Sequence, residues 1–229
     1  MRIHRFFTEE KIPQAGEFFV TNENLLNQWR NVLRMEEGSK AILFDGSGDE
    51  VLCEVVLLNK KSSTLKVLER KKGLVPSRDV TLYIALIKKD NFELVLEKAT
   101  ELGVSQIIPV QADRSEKKGV NYERANKILR EASEQSGRAT VPTLGEIMPI
   151  EKISGEMLVV FDPRSNVSAR EFFAKETKSP IGLLIGPEGG FTDEEMEFFK
   201  QNGVPIVTTG STILRAETAA IVALFLALV

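Results

Sequence analysis

Two stretches near the carboxyl terminus constrain the fold most. Residues 181–195 and 205–219 each run from a short apolar segment through a glycine-containing corner into a predicted helix. Residues 181–185 are apolar throughout, which is typical of a strand buried on both faces of a parallel sheet. Thr192 and Glu195 have capping-box spacing, so a helix is expected to begin there. We therefore expect an α/β fold with both corners at the carboxyl edge of a parallel sheet, where such sheets bind ligands.

The first corner, Gly186-Pro187-Glu188-Gly189-Gly190, excludes two common nucleotide motifs. It lacks the lysine and the serine or threonine of a P-loop, and its glycine spacing is not G-x-G-x-x-G. An acidic Glu188 also suits a pyrophosphate poorly. Backbone groups beside a carboxylate suit a neutral or cationic ligand better, and adenosine that carries a sulfonium fits this description. The alternative is that both corners are tight turns that join packed elements.

Composition describes an ordinary globular protein of one or two domains. Of the 229 residues, 42% are apolar and 28% are charged. The single cysteine, Cys53, and the single histidine, His4, exclude an internal disulfide and a cysteine-rich or multi-histidine metal centre, so no metal is expected. The first seven residues mix charge with aromatic side chains, which is unlike a secretory signal. A cytoplasmic location is expected.

The last segment, residues 218–229, is apolar on every side. It is shorter than the ~20 residues that a membrane span needs, so no membrane association is expected. A helix that is apolar all round must be buried all round. We predict that half of this helix contacts the core and half contacts a second subunit, which implies a homodimer.

The chain divides by pattern into two parts. Residues 1–70 are β-rich, residues 71–77 form a charged linker that carries glycine and proline, and strands alternate with helices over 78–229, which predicts a parallel sheet. Trp29 lies on the apolar face of a helix and is interpreted as core, with a base-stacking role as the alternative. The net charge of −3 means that any RNA-binding surface must be a local patch.

Both carboxyl-terminal motifs closely resemble the signatures of the bacterial 16S ribosomal RNA uridine-N3 methyltransferases. That family belongs to the knotted SPOUT superfamily, whose members depend on S-adenosylmethionine. The resemblance extends over nearly the whole chain, including residues 1–7, 31–34, 43–46, 98–104 and 131–138. Two positions depart from the second motif, because Thr209 and Thr212 stand where the family usually has leucine and arginine. This chain must supply another group for any contact which that arginine makes.

The resemblance implies a fold and a cofactor site. Residues 1–70 would form a PUA-like β-barrel that docks RNA, and residues 78–229 would form a SPOUT α/β domain with a carboxyl-terminal trefoil knot. Three adjacent loops would surround S-adenosylmethionine. The residues expected to bind it are Phe161, Ile185, Gly186, Pro187, Glu188, Gly189, Gly190, Gly210, Ser211, Ile213 and Leu214.

Catalysis requires removal of the imide proton from uridine N3 and stabilisation of the resulting negative charge. Arg215 is our candidate for stabilising charge on a uridine oxygen. Glu217 could accept the proton, or could only complement the dipole at the start of the last helix. The candidates for contact with 16S ribosomal RNA in the small subunit are basic residues, each of which could instead be a solvated surface charge. They are Arg5, Arg30, Arg34, Arg114, Lys117 and Arg138.

Two other functions stay open at this point. One is a SPOUT methyltransferase that acts on a ribose 2′-hydroxyl or on transfer RNA, and the motifs in the first half of the chain argue against it. The other is an RNA-binding or ribosome-assembly protein without catalysis, which would have no need of a cofactor pocket. The sequence is equally compatible with free ribosomal RNA and with an assembled subunit as substrate.

Overall fold

The computed structural model describes residues 3–116, 119–154, 157–177 and 179–228. It contains two compact units. The first consists of residues 1–75 and 133–141, and the second of residues 76–132 and 142–229. Residues 133–141, which the sequence pattern places in the second domain, therefore belong to the first unit.

The first unit is built on a five-stranded sheet in the order β1-β3-β4-β5-β2. Strand β1 pairs with β3 in parallel, and the other pairings are antiparallel. The strands are β1 (His4–Phe7), β2 (Glu17–Val20), β3 (Lys40–Phe44), β4 (Asp49–Leu58) and β5 (Ser63–Lys72). Strand β5 thus includes the first two residues of the predicted linker.

A short helix closes one side of this sheet. Helix α1 (Glu23–Asn27) continues into a π-helical turn (Gln28–Val32), and the side chain of Asn22 caps α1 by accepting from the backbone N–H of Leu25 at 3.1 Å. Trp29 is fully buried and packs edge-on against Phe6 with ring centroids 5.4 Å apart. The interpretation of Trp29 as a core residue is confirmed.

Residues 133–141 are bonded to the strands of the first unit. The backbone N–H of Phe7 donates to Glu134 Oε1 at 2.9 Å, and that of Ala139 donates to the carbonyl of Leu74 at 2.8 Å. The guanidinium of Arg5 donates to the carbonyl of Gly137 at 2.8 Å. These bonds explain why a distant stretch of sequence completes this unit.

The second unit contains a parallel sheet in the order β12-β10-β11-β6-β7-β8, with β9 also paired to β7. All these pairings are parallel, as predicted. The strands are β6 (Val80–Ala85), β7 (Gln106–Gln111), β8 (Thr143–Leu144), β9 (Met148–Pro149), β10 (Met157–Phe161), β11 (Ile181–Ile185) and β12 (Ile206–Val207). Every residue of β6 and of β11 is buried, because helices cover both faces.

Five further α-helices follow α1 in the described residues. They are α2 (Lys89–Leu102), α3 (Tyr122–Ser136), α4 (Ala169–Phe173), α5 (Asp193–Gln201) and α6 (Ala216–Leu228). Gly103 ends α2 with φ of 102°, and Thr192 and Glu195 form the predicted capping box of α5. Lys88 occupies the cap position of α2, and Asp90 lies in its first turn.

Residues 162–169 form backbone hydrogen bonds on both sides of the segment that contains β12. On the β10 side, Asp162 N–H donates to the carbonyl of Val207 at 2.9 Å. On the other side, Thr208 N–H donates to Val167 at 2.8 Å, and Ala169 N–H donates to Thr208 at 2.8 Å. In a trefoil knot the end of the chain passes through a loop of earlier residues, and residues 162–169 lie where such a loop would be. The trefoil knot itself stays a prediction.

Helix α6 packs against α2, α4, β6 and β11. Its small residues Ala220 and Ala223 are fully buried, whereas Phe225 is 50% exposed. Among the described residues, no helix combines the length and apolar character needed to cross a bilayer.

Candidate functional site

Three loops begin side by side at the carboxyl edge of the parallel sheet. Phe161 is in register with Ile185 of β11 on one side and with Val207 of β12 on the other. Because these residues are in register, the three strands end at the same level in the sheet. Neighbouring strands lie about 4.8 Å apart. The two glycine corners of the sequence therefore flank a third loop, residues 162–168, which follows Phe161. This edge is the position at which open α/β sheets bind ligands.

The corner after β11 is shaped by an aromatic ring. A Cβ added to Gly186 would lie 2.9 Å from Phe191 Cε2. Phe191 is 2% exposed and packs edge-on against Phe199, with centroids 5.3 Å apart. Gly190, with φ of 66°, closes the turn by donating to the carbonyl of Pro187 at 2.9 Å. Glycine at 186 is therefore required for packing of the loop on its own core.

An ion pair that sequence reasoning missed joins the middle loop to the β11 corner. Asp162 is 3% exposed and accepts from Arg164 Nε at 2.9 Å. The hydrogen bond to Asp162 raises the pKa of the Arg164 guanidinium. The same guanidinium donates to the carbonyl of Phe191 at 3.1 Å and to Asp193 at 3.1 Å. The available signal was an aspartate directly after a buried strand, with an arginine two residues later.

The corner after β12 is more open. Gly210 has φ of 153°, and Thr208 Oγ1 donates to its carbonyl at 3.0 Å. Ser211 is exposed, Leu214 is half-buried, and the side chain of Ile213 is 84% exposed. A Cβ added at Gly190 or at Gly210 would meet no atom within 4 Å. Space is thus open beside both glycine corners, with apolar side chains next to the second.

Glu217 is the most unusual polar residue near these loops. It lies in the first turn of α6 and is 7% exposed. Its Oε2 is buried and has no hydrogen-bond partner among the described residues. Burying a carboxylate oxygen without a partner is costly, so this oxygen requires a partner, which a water molecule, a ligand or a substrate group can supply. Arg215, immediately before α6, is exposed.

Two contacts tie the β11 corner to neighbouring loops. Glu188 Oε1 accepts from the backbone N–H of Lys88 at 3.3 Å, at the start of α2. Arg114, which follows β7, donates to the carbonyl of Gly189 at 2.9 Å. Arg114, an expected RNA contact, is therefore located on the rim of the predicted cofactor site.

Two of the expected RNA contacts, Arg5 and Arg138, instead make hydrogen bonds within the first unit. Arg5 pairs with Glu50 at 2.8 Å, and its side chain is 18% exposed. Arg138 is 6% exposed and donates to Thr140 Oγ1 at 3.2 Å, and burial lowers the pKa of its guanidinium to about 10. These internal roles exclude Arg5 and Arg138 from our set of RNA contacts. Arg30 is half-buried and Arg34 is exposed.

Lys117 lies outside the described residues. Within the parts of the chain that the structure describes, no group of three or more histidine, cysteine, aspartate or glutamate residues could hold a metal ion.

The set of groups at the three loops fits a ligand with adenosine and a cationic centre. Backbone N–H and carbonyl groups of the corners can bond a base edge, and Ile213 and Leu214 supply apolar surface, whereas Phe161 and Ile185 are buried. The exposed Glu188 provides negative charge, which suits a sulfonium and disfavours a polyphosphate. The residues present therefore fit S-adenosylmethionine.

The fold and site define an RNA methyltransferase. Residues 75–228 match the family model of an RNA methyltransferase domain, and residues 30–68 match that of an RNA methyltransferase PUA domain. The chain is 30% identical to ribosomal RNA small subunit methyltransferase E of Rickettsia conorii, over 98% of this chain and 94% of that protein. It is 32% identical to the protein of that name from Bacillus subtilis, over 97% and 94% of the two chains. The chain belongs to the ribosomal RNA small subunit methyltransferase E family.

A solved structure supports the same assignment. The ribosomal RNA small subunit methyltransferase E of Neisseria gonorrhoeae, bound to S-adenosyl methionine, superposes with a TM-score of 0.89. It is 26% identical, and the match covers 97% of this chain and 95% of that one. The predicted α/β fold with a PUA-like amino-terminal part is confirmed.

Proposed function

We propose that this protein transfers a methyl group from S-adenosylmethionine to N3 of a specific uridine in 16S ribosomal RNA of the small subunit. The observation that carries the proposal is the position of the loops after β10, β11 and β12, which begin side by side at one edge of the sheet. They belong to a unit that matches an RNA methyltransferase domain. Full-length similarity to ribosomal RNA small subunit methyltransferases E supports the choice of substrate.

The cofactor would be held by the loops after Phe161, Ile185 and Val207. Bound there, it supplies an electrophilic methyl group on a sulfonium. The residues that we assign to it are Phe161, Ile185, Gly186, Pro187, Glu188, Gly189, Gly190, Gly210, Ser211, Ile213 and Leu214. Gly186 acts indirectly, since its role is to let Phe191 pack beneath the corner.

Two side chains would act on the uridine. Glu217 accepts the N3 proton, since its buried oxygen has no competing partner among the described residues. Arg215 is exposed at the start of α6, where its charge can stabilise negative charge that develops on a uridine oxygen. General-base catalysis contributes about 10²–10⁴-fold, and positioning of the two reactants contributes further.

The test uses labelled S-adenosylmethionine with two substrates, free 16S ribosomal RNA and assembled small subunits. After the reaction, the RNA is digested to nucleosides. We expect label only in N3-methyluridine, and the stronger of the two reactions identifies the substrate form. Label on a ribose 2′-hydroxyl, in transfer RNA or in another base would reject the proposed target. Calorimetry without any binding of S-adenosylhomocysteine would favour a non-catalytic RNA-binding protein.

We further propose that the protein is a homodimer in the cytoplasm. Two apolar side chains support a second subunit near α6, because Ile213 is 84% exposed and Phe225 is 50% exposed. Cytoplasmic location follows from the proposed ribosomal substrate. Light scattering at micromolar concentration tests the dimer, and the mass of a single chain would reject it.

The first unit would dock RNA through its surface cations. With Arg5 and Arg138 committed internally, Arg30 and Arg34 are the residues of this unit that we assign to phosphate contact. Replacing both by glutamine should weaken RNA binding and reduce its salt dependence, with no change in affinity for S-adenosylhomocysteine. Unchanged RNA affinity would remove them from the interface.

A further inference from the structure

A cavity lies beside the β11 corner, and none of the roles assigned above uses it. Its volume is about 380 Å³, within the range of about 300–1,000 Å³ that is typical of ligand sites. It is formed by residues 86–88 after β6, the first turns of α2, Glu116, residues 119–121 and the first turn of α3. The walls are apolar, and five of their side chains are less than 8% exposed: Leu86, Ile87, Phe92, Leu96 and Ala125.

The rim of this cavity carries cations. Lys88, Lys89 and Arg124 line it together with the carboxylates Glu93 and Glu116. Arg124 donates to Glu93 Oε2 from two nitrogens, at 3.2 and 3.3 Å, and Lys89 Nζ lies 3.8 Å from Glu93 Oε1. The lining is therefore net positive, by three charges against two, in a chain whose net charge is −3.

The position of the cavity relates it to methyl transfer. Strand β6 pairs directly with β11, with Ile84 in register with Ile185, so its carboxyl end is the next along the same sheet edge. Lys88 belongs to the cavity lining, and its backbone N–H donates to Glu188 in the β11 corner at 3.3 Å. The cavity therefore adjoins the β11 corner, one of the three loops to which the uridine would be presented.

We infer that the cavity receives the unstacked base of an RNA nucleotide that flanks the target uridine. This inference rests on the proposed function. An apolar hollow that contains an aromatic ring suits the flat face of a base, and Phe92 provides such a ring. Cations at the mouth suit the phosphates on either side of that base, which explains why charge gathers around an otherwise apolar cavity.

The test measures binding of two fluorescent probes in the presence of S-adenosylhomocysteine. One is a short single-stranded oligouridylate, and the other is an oligomer of equal length that has the same backbone but no bases. The wild-type protein should bind the oligouridylate more tightly. Ala125→Trp fills the cavity and should lower oligouridylate affinity about tenfold, because base stacking is lost, while affinity for the base-free probe stays the same. Equal binding of both probes by the wild type would overturn the inference.

Lys127→Trp is the matched control, because it adds the same ring to an exposed position two residues away on α3. It should bind both probes as the wild type does. An Ala125→Trp variant that binds S-adenosylhomocysteine and retains full oligouridylate affinity would show that no base enters the cavity.

A variant at the rim covers the case in which the tryptophan prevents folding. Arg124→Gln should weaken both probes and reduce the slope of log affinity against log salt by about one, as expected for one lost phosphate contact. Unchanged affinity and slope would overturn the inference.

The proposed reaction and the proposed base-binding cavity are tested by different measurements, because probe binding needs no methyl transfer. Absence of N3-methyluridine in the labelling experiment rejects the reaction, whereas the probes decide the cavity.

Discussion

Arg164 donates to both carboxylate oxygens of Asp162, from Nε at 2.9 Å and from a terminal nitrogen at 3.0 Å. Asp162 immediately follows β10, the middle of the three strands whose loops form the site. Because Arg164 also donates to the carbonyl of Phe191, this pair fixes the middle loop to the β11 corner.

Arg164→Ala should weaken binding of S-adenosylhomocysteine about tenfold while the protein stays folded. The guanidinium supplies charged hydrogen bonds to two loops, each worth about 1.5–3 kcal/mol, and its loss leaves the buried Asp162 with fewer donors. Calorimetry measures the affinity, and circular dichroism verifies the fold. Arg170→Ala, an exposed arginine on α4, is the matched control and should bind as the wild type does. Equal affinities in both variants would show that the pair does not organise the site.

Gly186→Ala should destabilise the second unit by about 1–3 kcal/mol, the usual cost of overpacking a core. The new methyl group would lie 2.9 Å from Phe191 Cε2, and this ring cannot move freely because it is buried against Phe199. Urea denaturation followed by circular dichroism measures the change. In Gly189→Ala the new Cβ would come no closer than 3.3 Å, to Cβ and Cδ of the exposed Arg114. The second variant should therefore be destabilised less than Gly186→Ala, and the reverse order would contradict the packing argument.

Glu217→Gln should reduce methyl transfer about 10²–10⁴-fold with cofactor affinity unchanged. The amide has the same shape as the carboxylate but cannot accept the N3 proton. Transfer of labelled methyl groups to the ribosomal substrate measures the rate. Glu194→Gln, in the first turn of α5, is the control for a simple helix-dipole role, which is worth about 0.3–1 kcal/mol. Similar small effects of both substitutions would assign Glu217 to the dipole alone.

Glu50→Gln should destabilise the first unit near neutral pH by about 1–3 kcal/mol. Burial of the Glu50 carboxyl opposes its ionisation, but the hydrogen bond from Arg5 and the charges of Arg5 and Lys71 outweigh burial and lower its pKa. A carboxylate with a lowered pKa stabilises the fold above its unfolded pKa of about 4.3, and that stabilisation is lost as the pH falls through the folded value. The difference between wild type and variant should therefore shrink at acid pH.

Fluorescence of Trp29 reports this unfolding, since it is the single tryptophan and lies in the core of the first unit. Glu54→Gln, on the same strand, is the control and should change stability little at any pH. A Glu50→Gln difference that persists undiminished in acid would show that the ion pair is not its source.

Much of the second unit was predictable from local pattern. The uninterrupted apolar run of β11 and the spacing of Thr192 and Glu195 fix a strand and a helix start, and the structure contains both. Such features depend on residues a few positions apart, so the sequence displays them directly. The parallel direction of β6, β10 and β11 follows from alternation of strands and helices, whereas their order in the sheet does not.

What could not be predicted depends on contacts between distant residues. Arg5 reads as a surface cation, and only the fold brings Glu50 and Gly137 to its guanidinium. The sequence suggests that Gly186 faces a ligand, and only the fold shows that the ring of Phe191 packs against it. The burial of Glu217 likewise depends on how α6 packs against α2, α4 and the sheet.

The composition of the first unit also has a consequence for biosynthesis. Its sheet is made from the first 75 residues, but residues 133–141 supply partners for Arg5, Phe7 and Leu74. A ribosome releases the amino terminus first, so the newly made strands must wait for a later part of the chain before their bonding is complete. The amino-terminal region alone is therefore expected to be a poor candidate for independent expression, even though its sequence looks like a separate module.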